Sequence, residues 1–192
     1  MGHRVKNALA TVQAVAIETL RRGGVPAEVQ RAFTDCIVAL AQSHDLLTRE
    51  NGEGAPLAEV VARALMPYGG ADRAELAGAA VRLPANTVEI LSLAFHELAT
   101  NAAKYGALSV PTGHVEVRCE VRREQNRSRA LEIVWRERDG PTVTMPEGRG
   151  FGSRLLERGL PYDFGGTVTL DFRQNGLECR ICLPIALEKD KV

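Results

Sequence analysis

The chain has 192 residues, 45% of them apolar, which is enough to bury a core and excludes wholesale disorder. Its 24 lysines and arginines balance 24 aspartates and glutamates. That excludes a broad electrostatic footprint for nucleic acid or anionic membrane, so any phosphate binding has to come from a local site. No apolar run approaches the ~18 residues that span a bilayer, and no basic start with an apolar run marks a secretory signal. The expectation is a cytoplasmic chain with no direct membrane insertion.

Taken in order, residues 3–22 read as an amphipathic helix, with Val5, Leu9, Val12, Ala16 and Leu20 on one stripe. Gly23-Gly24 stops it, and Pro26 sits where a first helical turn tolerates it. A second helix runs to about Arg49, with Phe33, Ile37, Leu40 and Leu47 on its apolar side. Two helices around a Gly-Gly turn predict an antiparallel hairpin. At roughly 45 residues it cannot bury both stripes alone, so it wants a partner, most simply a second copy in a four-helix bundle. Asn51 to Pro56 has the composition of a linker.

Beyond the linker the pattern is mixed: a helix over 57–67, a short strand near Val81–Leu83 and a long helix at about 86–104. Strands follow at 114–122 and 130–136, then a Gly/Pro-rich loop to Gly152, a helix at 153–160 and strands at 166–173 and 177–183. This predicts an α+β chain: a helical hairpin over 1–52, then a two-layer α/β sandwich with a mixed sheet over 55–192. Cys36, Cys119, Cys179 and Cys182 are too sparse for a disulfide scaffold. Cys179 and Cys182 have C-x-x-C spacing, but strand alternation points them to opposite faces and no second ligand pair follows.

On the long helix Glu97, Asn101 and Lys104 fall at i, i+4 and i+7, one narrow stripe, while Leu91, Phe95, Leu98, Ala99 and Ala102 face the other way. An amide oxygen is a hard ligand for Mg²⁺, a carboxylate polarises a nucleophile, and an ammonium neutralises phosphate. The spacing alone equally fits a solvated helix face. A strand then delivers Glu137 to its end, where a turn begins at Asp139-Gly140-Pro141 and a carboxylate can accept from an adenine amino group. Arg149-Gly150-Phe151-Gly152-Ser153 directly precedes a helix, an arrangement that lets backbone approach a phosphate. Taken singly, a strand ending in a turn and a lone Gly-x-Gly are both common.

Together, His96-Glu97-Leu98-Ala99-Thr100-Asn101-Ala102-Ala103-Lys104-Tyr105-Gly106-Ala107-Leu108 and Trp135-x-Glu137 closely resemble the HWE subfamily of sensor histidine kinases. That subfamily lies within the GHKL ATPase/kinase superfamily of Bergerat-type folds. The resemblance covers essentially the whole chain, including Leu65-Met66-Pro67-Tyr68, the Gly-Phe-Gly box, Gly165-Gly166 and Leu183-Pro184.

What the resemblance implies is ATP and Mg²⁺, with Asn101 on the metal and Glu97 as base or positioning group beside an attacking imidazole. Lys104 would contact phosphate, and Glu137 would hold adenine. Gly150 and Gly152 would frame a lid, and Tyr105, Gly140 and Phe151 would complete the nucleotide contacts. His96 marks the subfamily, and a buried, hydrogen-bonded structural histidine is one reading of it. The chain departs from the pattern at Asp139, where a glycine is usual. Aspartate tolerates a left-handed turn and brings negative charge near the nucleotide, which would weaken ATP binding.

His3 and Asn7 are one turn apart at the head of the first helix, pointing away from its apolar stripe. A surface His with Asn four residues on carries little by itself. The family's His-Arg-x-x-Asn box makes His3 the implied phosphoacceptor, with Asn7 orienting the ring and Arg4 or Lys6 stabilising the phosphorylated form. The implied partners are a response-regulator receiver domain and a second copy of the hairpin. The chain begins two residues before His3, so the helix is expected to fray there, with a sensor domain upstream missing from this chain. Two other readings stand beside the kinase. One is a non-catalytic phosphorelay adaptor or phosphatase with a degenerate ATP site; the other is a GHKL ATPase of chaperone or topoisomerase type.

Overall fold

A computed structural model describes residues 2–123, 129–143 and 165–185. The chain divides into two compact units, residues 1–64 with 81–97, and residues 65–80 with 98–192. In the first unit, α1 (Gly2–Arg22) and α2 (Ala27–Arg49) form the predicted hairpin around Gly24, whose φ of 65° permits the reversal. No described side chain of α1 is buried, and Val12 and Val15 of its apolar side are 49% and 62% exposed. On α2 the burial falls on Ala39, Ser43, Leu46 and Leu47, while Phe33, Ile37 and Leu40 are only half-buried. The face that this unit itself covers is therefore offset from the predicted stripe.

The linker is more structured than its composition suggests. Ala55–Pro56 (β1) pairs antiparallel with Arg82–Leu83 (β3), and Arg82 adds hydrogen bonds to Glu50 and to the Gly54 carbonyl. The next helix, α3 (Leu57–Leu65), stops two residues short of the predicted end. Pro67 disfavours helical backbone at Met66, so the chain tightens into a 3₁₀ turn over Met66–Tyr68 before a left-handed Gly69. A second 3₁₀ turn spans Gly70–Arg73. The long helix α4 (Ala85–Tyr105) matches its expectation within one residue at each end. Its N-terminal part, with buried Val88, Leu91 and Phe95, belongs to the first unit.

In the second unit, β2 (Ala74–Gly78), β4 (His114–Arg123), β5 (Arg129–Arg138), β6 (Thr167–Arg173) and β7 (Gly176–Ile185) form one sheet in the order β2-β4-β5-β7-β6. The β2–β4 pair is parallel and the others antiparallel, so the sheet is mixed, as expected. The α+β class with a leading helical hairpin thus holds. The edge strand β2 was not foreseen: Ala-Glu-Leu-Ala-Gly has weak strand propensity and gains its place by pairing with β4.

Alternation sorts the sheet's two faces. Val115, Val117, Leu131, Ile133, Trp135, Cys179 and Ile181 are each no more than 1% exposed and share the core face, with Trp135 opposite Val117 and Cys179. The other face is a lattice of opposite charges. Glu178 takes Arg136 at 2.8 Å, Arg180 at 3.1 Å and Arg173 at 3.2 Å, and Glu132 lies between Arg122 and Arg180. Burial pushes the Glu178 carboxyl up, but Arg136, Arg173 and Arg180 outweigh it and hold the group below its ordinary range. That pairing is how a sheet face carries two buried glutamates without an uncompensated charge.

Candidate nucleotide site

Along α4 the polar stripe opens progressively: Glu97 is 8% exposed, Asn101 half-buried and Lys104 exposed. The buried end is covered from α2 within the first unit, where the Cys36 Sγ donates to Glu97 Oε1 at 3.7 Å. Burial first, then the Glu97 charge, pushes the Cys36 thiol up to about 12, so the thiol stays protonated and serves as donor. Nothing in the sequence patterning pointed to Cys36. His96 is half-buried and lines a small cavity with Gln42, Ser43 and Arg63.

Past the helix, the chain turns through Gly106 into a 3₁₀ turn over Ala107–Ser109. Here the end of β5 meets it. Glu137 is 4% exposed, and its Oε2 accepts the Ala107 backbone N–H at 2.8 Å. Three glycines make the approach possible. A Cβ on Gly106 would lie 1.8 Å from Glu137 Oε2, one on Gly140 would lie 2.6 Å from Ala107 Cα, and one on Gly176 would lie 2.2 Å from the Glu137 carbonyl oxygen. The site is thus a carboxylate fixed on one oxygen, walled by backbone that side chains cannot enter. Asn101, Lys104 and the 74% exposed Tyr105 lie on the same helix in the turns just before it.

Asp139 occupies the left-handed turn that its residue type favours, at φ 54°. Its carboxylate is 70% exposed and 3.4 Å from His114 Nδ1, on a side chain turned to solvent. His3 and Asn7 stand in the first turns of α1, with side chains outside those described. Gly150, Phe151, Gly152 and the helix predicted at 153–160 lie outside the described residues.

Residues 1–80 match the HWE histidine kinase family. Over 190 residues, 98% of the chain, it is 36% identical to a blue-light-activated histidine kinase of Brucella ovis and 34% identical to one of Brucella anthropi. The chain is similar to HWE histidine kinases. It spans 39% and 38% of the length of those two relatives. In fold it is similar to the histidine kinase domain of the Erythrobacter litoralis EL346 blue-light activated histidine kinase. That match has a TM-score of 0.64 and 19% identity and covers 95% of this chain and 93% of that one. A longer EL346 structure aligns with a TM-score of 0.59 at 20% identity, over 97% of this chain and 62% of that one. Among the described residues no helix is long and apolar enough to cross a membrane.

Trp135 and Glu137 are neighbours on one face of β5, which gives the Trp-x-Glu spacing a physical sense. Burial raises the Glu137 carboxyl above the ordinary glutamate range, and the Ala107 N–H and then Trp135 pull part of the way back. A raised folded-state pKa means that the buried charge costs stability at neutral pH, a cost relieved as pH falls through that window. If an ionised Glu137 anchors adenine, Mg-ATP affinity falls on acidification earlier than an ordinary glutamate would dictate. Titrations from neutral pH down into the ordinary glutamate range should show this acid limb in the native chain and lose it in Glu137→Gln. An identical limb in that variant would assign it to another group.

Proposed function

We propose that this chain is the catalytic core of a two-component sensor kinase, in which residues 55–192 bind Mg-ATP and residues 1–52 carry the phosphoacceptor His3. The observation that supports it most is the buried Glu137 carboxylate, pinned by the Ala107 N–H and closely packed by Gly106, Gly140 and Gly176, next to the helix of Asn101 and Lys104. A carboxylate has more acceptor sites than the Ala107 N–H takes, so Glu137 can also accept from an adenine amino group. These residues fit the nucleotide and its metal. The Asn101 oxygen would hold Mg²⁺, which neutralises phosphate charge when bound. Lys104 would reach the same phosphates.

The transfer breaks the bond from the γ-phosphorus to the β,γ-bridging oxygen, which leaves with ADP. A bond forms to an imidazole nitrogen of His3, with Glu97 taking or orienting the imidazole proton and Asn7 orienting the ring. A response-regulator aspartate then receives the phosphoryl group. The test is incubation with γ-labelled Mg-ATP, which should give acid-labile, base-stable label on the protein. Release of free phosphate without such label would sink the kinase reading in favour of an ATPase.

The same reading includes a homodimer through the hairpin. Val12, Val15, Ala16, Leu20 and Phe33 line an open apolar groove between α1 and α2, the kind of face that a second copy would cover. Sedimentation should show a dimer that Val15→Glu converts to monomer; a chain already monomeric at micromolar concentration would remove this part.

A further inference from the structure

Between α3 and β2 the chain makes a short detour, Met66-Pro67-Tyr68-Gly69-Gly70-Ala71-Asp72-Arg73, that contacts α4 and the loop after it. Tyr68 Oη lies 3.2 Å from Thr100 Oγ1, beside Asn101 on α4. Arg73 reaches into the loop that follows α4. Its Nε donates to the Gly113 carbonyl at 2.7 Å, and its Nη2 donates to Val110 at 2.6 Å and Ala107 at 3.3 Å. Three carbonyls converging on one planar cation fix the curvature of residues 107–113. The segment is shaped to deliver that side chain: Gly69 has φ 106°, and a Cβ there would lie 2.5 Å from Arg73 Cγ.

Ala107 is where the brace and the site join. Its carbonyl is held by Arg73 and its N–H holds Glu137 Oε2. Gly113 closes the loop on the same residue, since a Cβ there would lie 2.0 Å from the Ala107 oxygen. Whatever holds Ala107 in place therefore holds the N–H that Glu137 Oε2 accepts. We infer that Arg73 is a positioning residue for base selection, holding Ala107 in place so that its N–H keeps Glu137 presenting one fixed acceptor to the nucleotide base. A fixed acceptor favours adenine, which offers an amino group, over guanine, which offers a carbonyl at that edge. The inference rests on the reading of Glu137 as the base anchor.

The experiment compares ATP and GTP, each with Mg²⁺, in binding titrations and labelling assays on the full chain. Its variants are Arg73→Gln, Arg73→Lys, Glu137→Gln and the Arg73→Gln/Glu137→Gln double variant, with Asp72→Asn as control. Arg73→Gln should weaken ATP binding roughly 10-fold while changing kcat far less, as expected when a charge-assisted brace is lost away from the reacting atoms. It should also narrow the ATP-over-GTP preference, and Arg73→Lys should recover part of both. Amide exchange of residues 107–113 should quicken in the nucleotide-free Arg73→Gln chain.

Because Arg73 acts through Glu137, the losses in the double variant should be less than additive. If Glu137→Gln leaves the ATP-over-GTP ratio untouched, the anchor reading fails and takes this inference with it. If Glu137→Gln erases the preference but Arg73→Gln and Arg73→Lys both keep it at any level of stability, the brace is merely structural and the inference alone is overturned. Should Arg73→Gln not fold, Arg73→Lys carries the decision by the same ratio.

Discussion

A His3→Ala chain incubated with γ-labelled Mg-ATP is expected to carry at least about 100-fold less acid-labile label than the native chain, because the proposed acceptor imidazole is gone. The chain has four histidines. His44 is on α2 with its Nδ1 3.5 Å from Thr48 Oγ1, His114 opens β4 with its Nδ1 3.4 Å from Asp139, and His96 is half-buried on α4. His3 alone of the four has an asparagine one turn later on α1, in the His-Arg-x-x-Asn pattern on which its proposed role rests. Binding of Mg-ATP should be unchanged in this variant, which separates loss of the acceptor from loss of the donor site. Label that persists in His3→Ala and disappears in His44→Ala would move the acceptor to the second helix and undo the His3 assignment.

Regular elements were readable because their periods were. The α4 stripe of Leu91, Phe95, Leu98, Ala99 and Ala102 is at most 1% exposed, and β4, β5, β6 and β7 stand where strands were expected. What escaped were features built from backbone. β2 is a five-residue Ala/Gly-rich strand that exists because β4 offers it an edge, and β1 is two residues inside what reads as a linker. The brace from Arg73 ends on three carbonyls, and carbonyls leave no trace in a residue pattern. For the same reason the partner of Glu137 was illegible: the carboxylate could be assigned to a strand end, but its acceptance of the Ala107 N–H depends on a loop closing 30 residues away in sequence. The left-handed turn at Asp139 was legible, since residue chemistry alone allows it; the direction of its charge, towards His114, was not.

That dependence on backbone gives Gly106 the second large effect. Its φ of −117° is open to any residue, so glycine stands there for room rather than for conformation. An added Cβ would lie 1.8 Å from Glu137 Oε2, 2.8 Å from Glu137 Cδ and 3.0 Å from Ala102 Cα. The carboxylate is the movable one of these, and it can leave only by giving up the Ala107 N–H. Overpacking and an unmade buried hydrogen bond together place the cost of Gly106→Ala at about 2–5 kcal/mol of stability. With the anchor displaced, ATP affinity should drop roughly 100-fold, the equivalent of two steps of 1.4 kcal/mol. Thermal unfolding reads the first quantity and nucleotide titration the second. Removing the carboxyl in a Gly106→Ala/Glu137→Ala chain relieves the overlap, so that double variant should recover much of the stability and none of the ATP affinity. Recovery of neither would mean that the neighbouring helix backbone at Ala102, not the Glu137 carboxylate, is what forbids a side chain at Gly106.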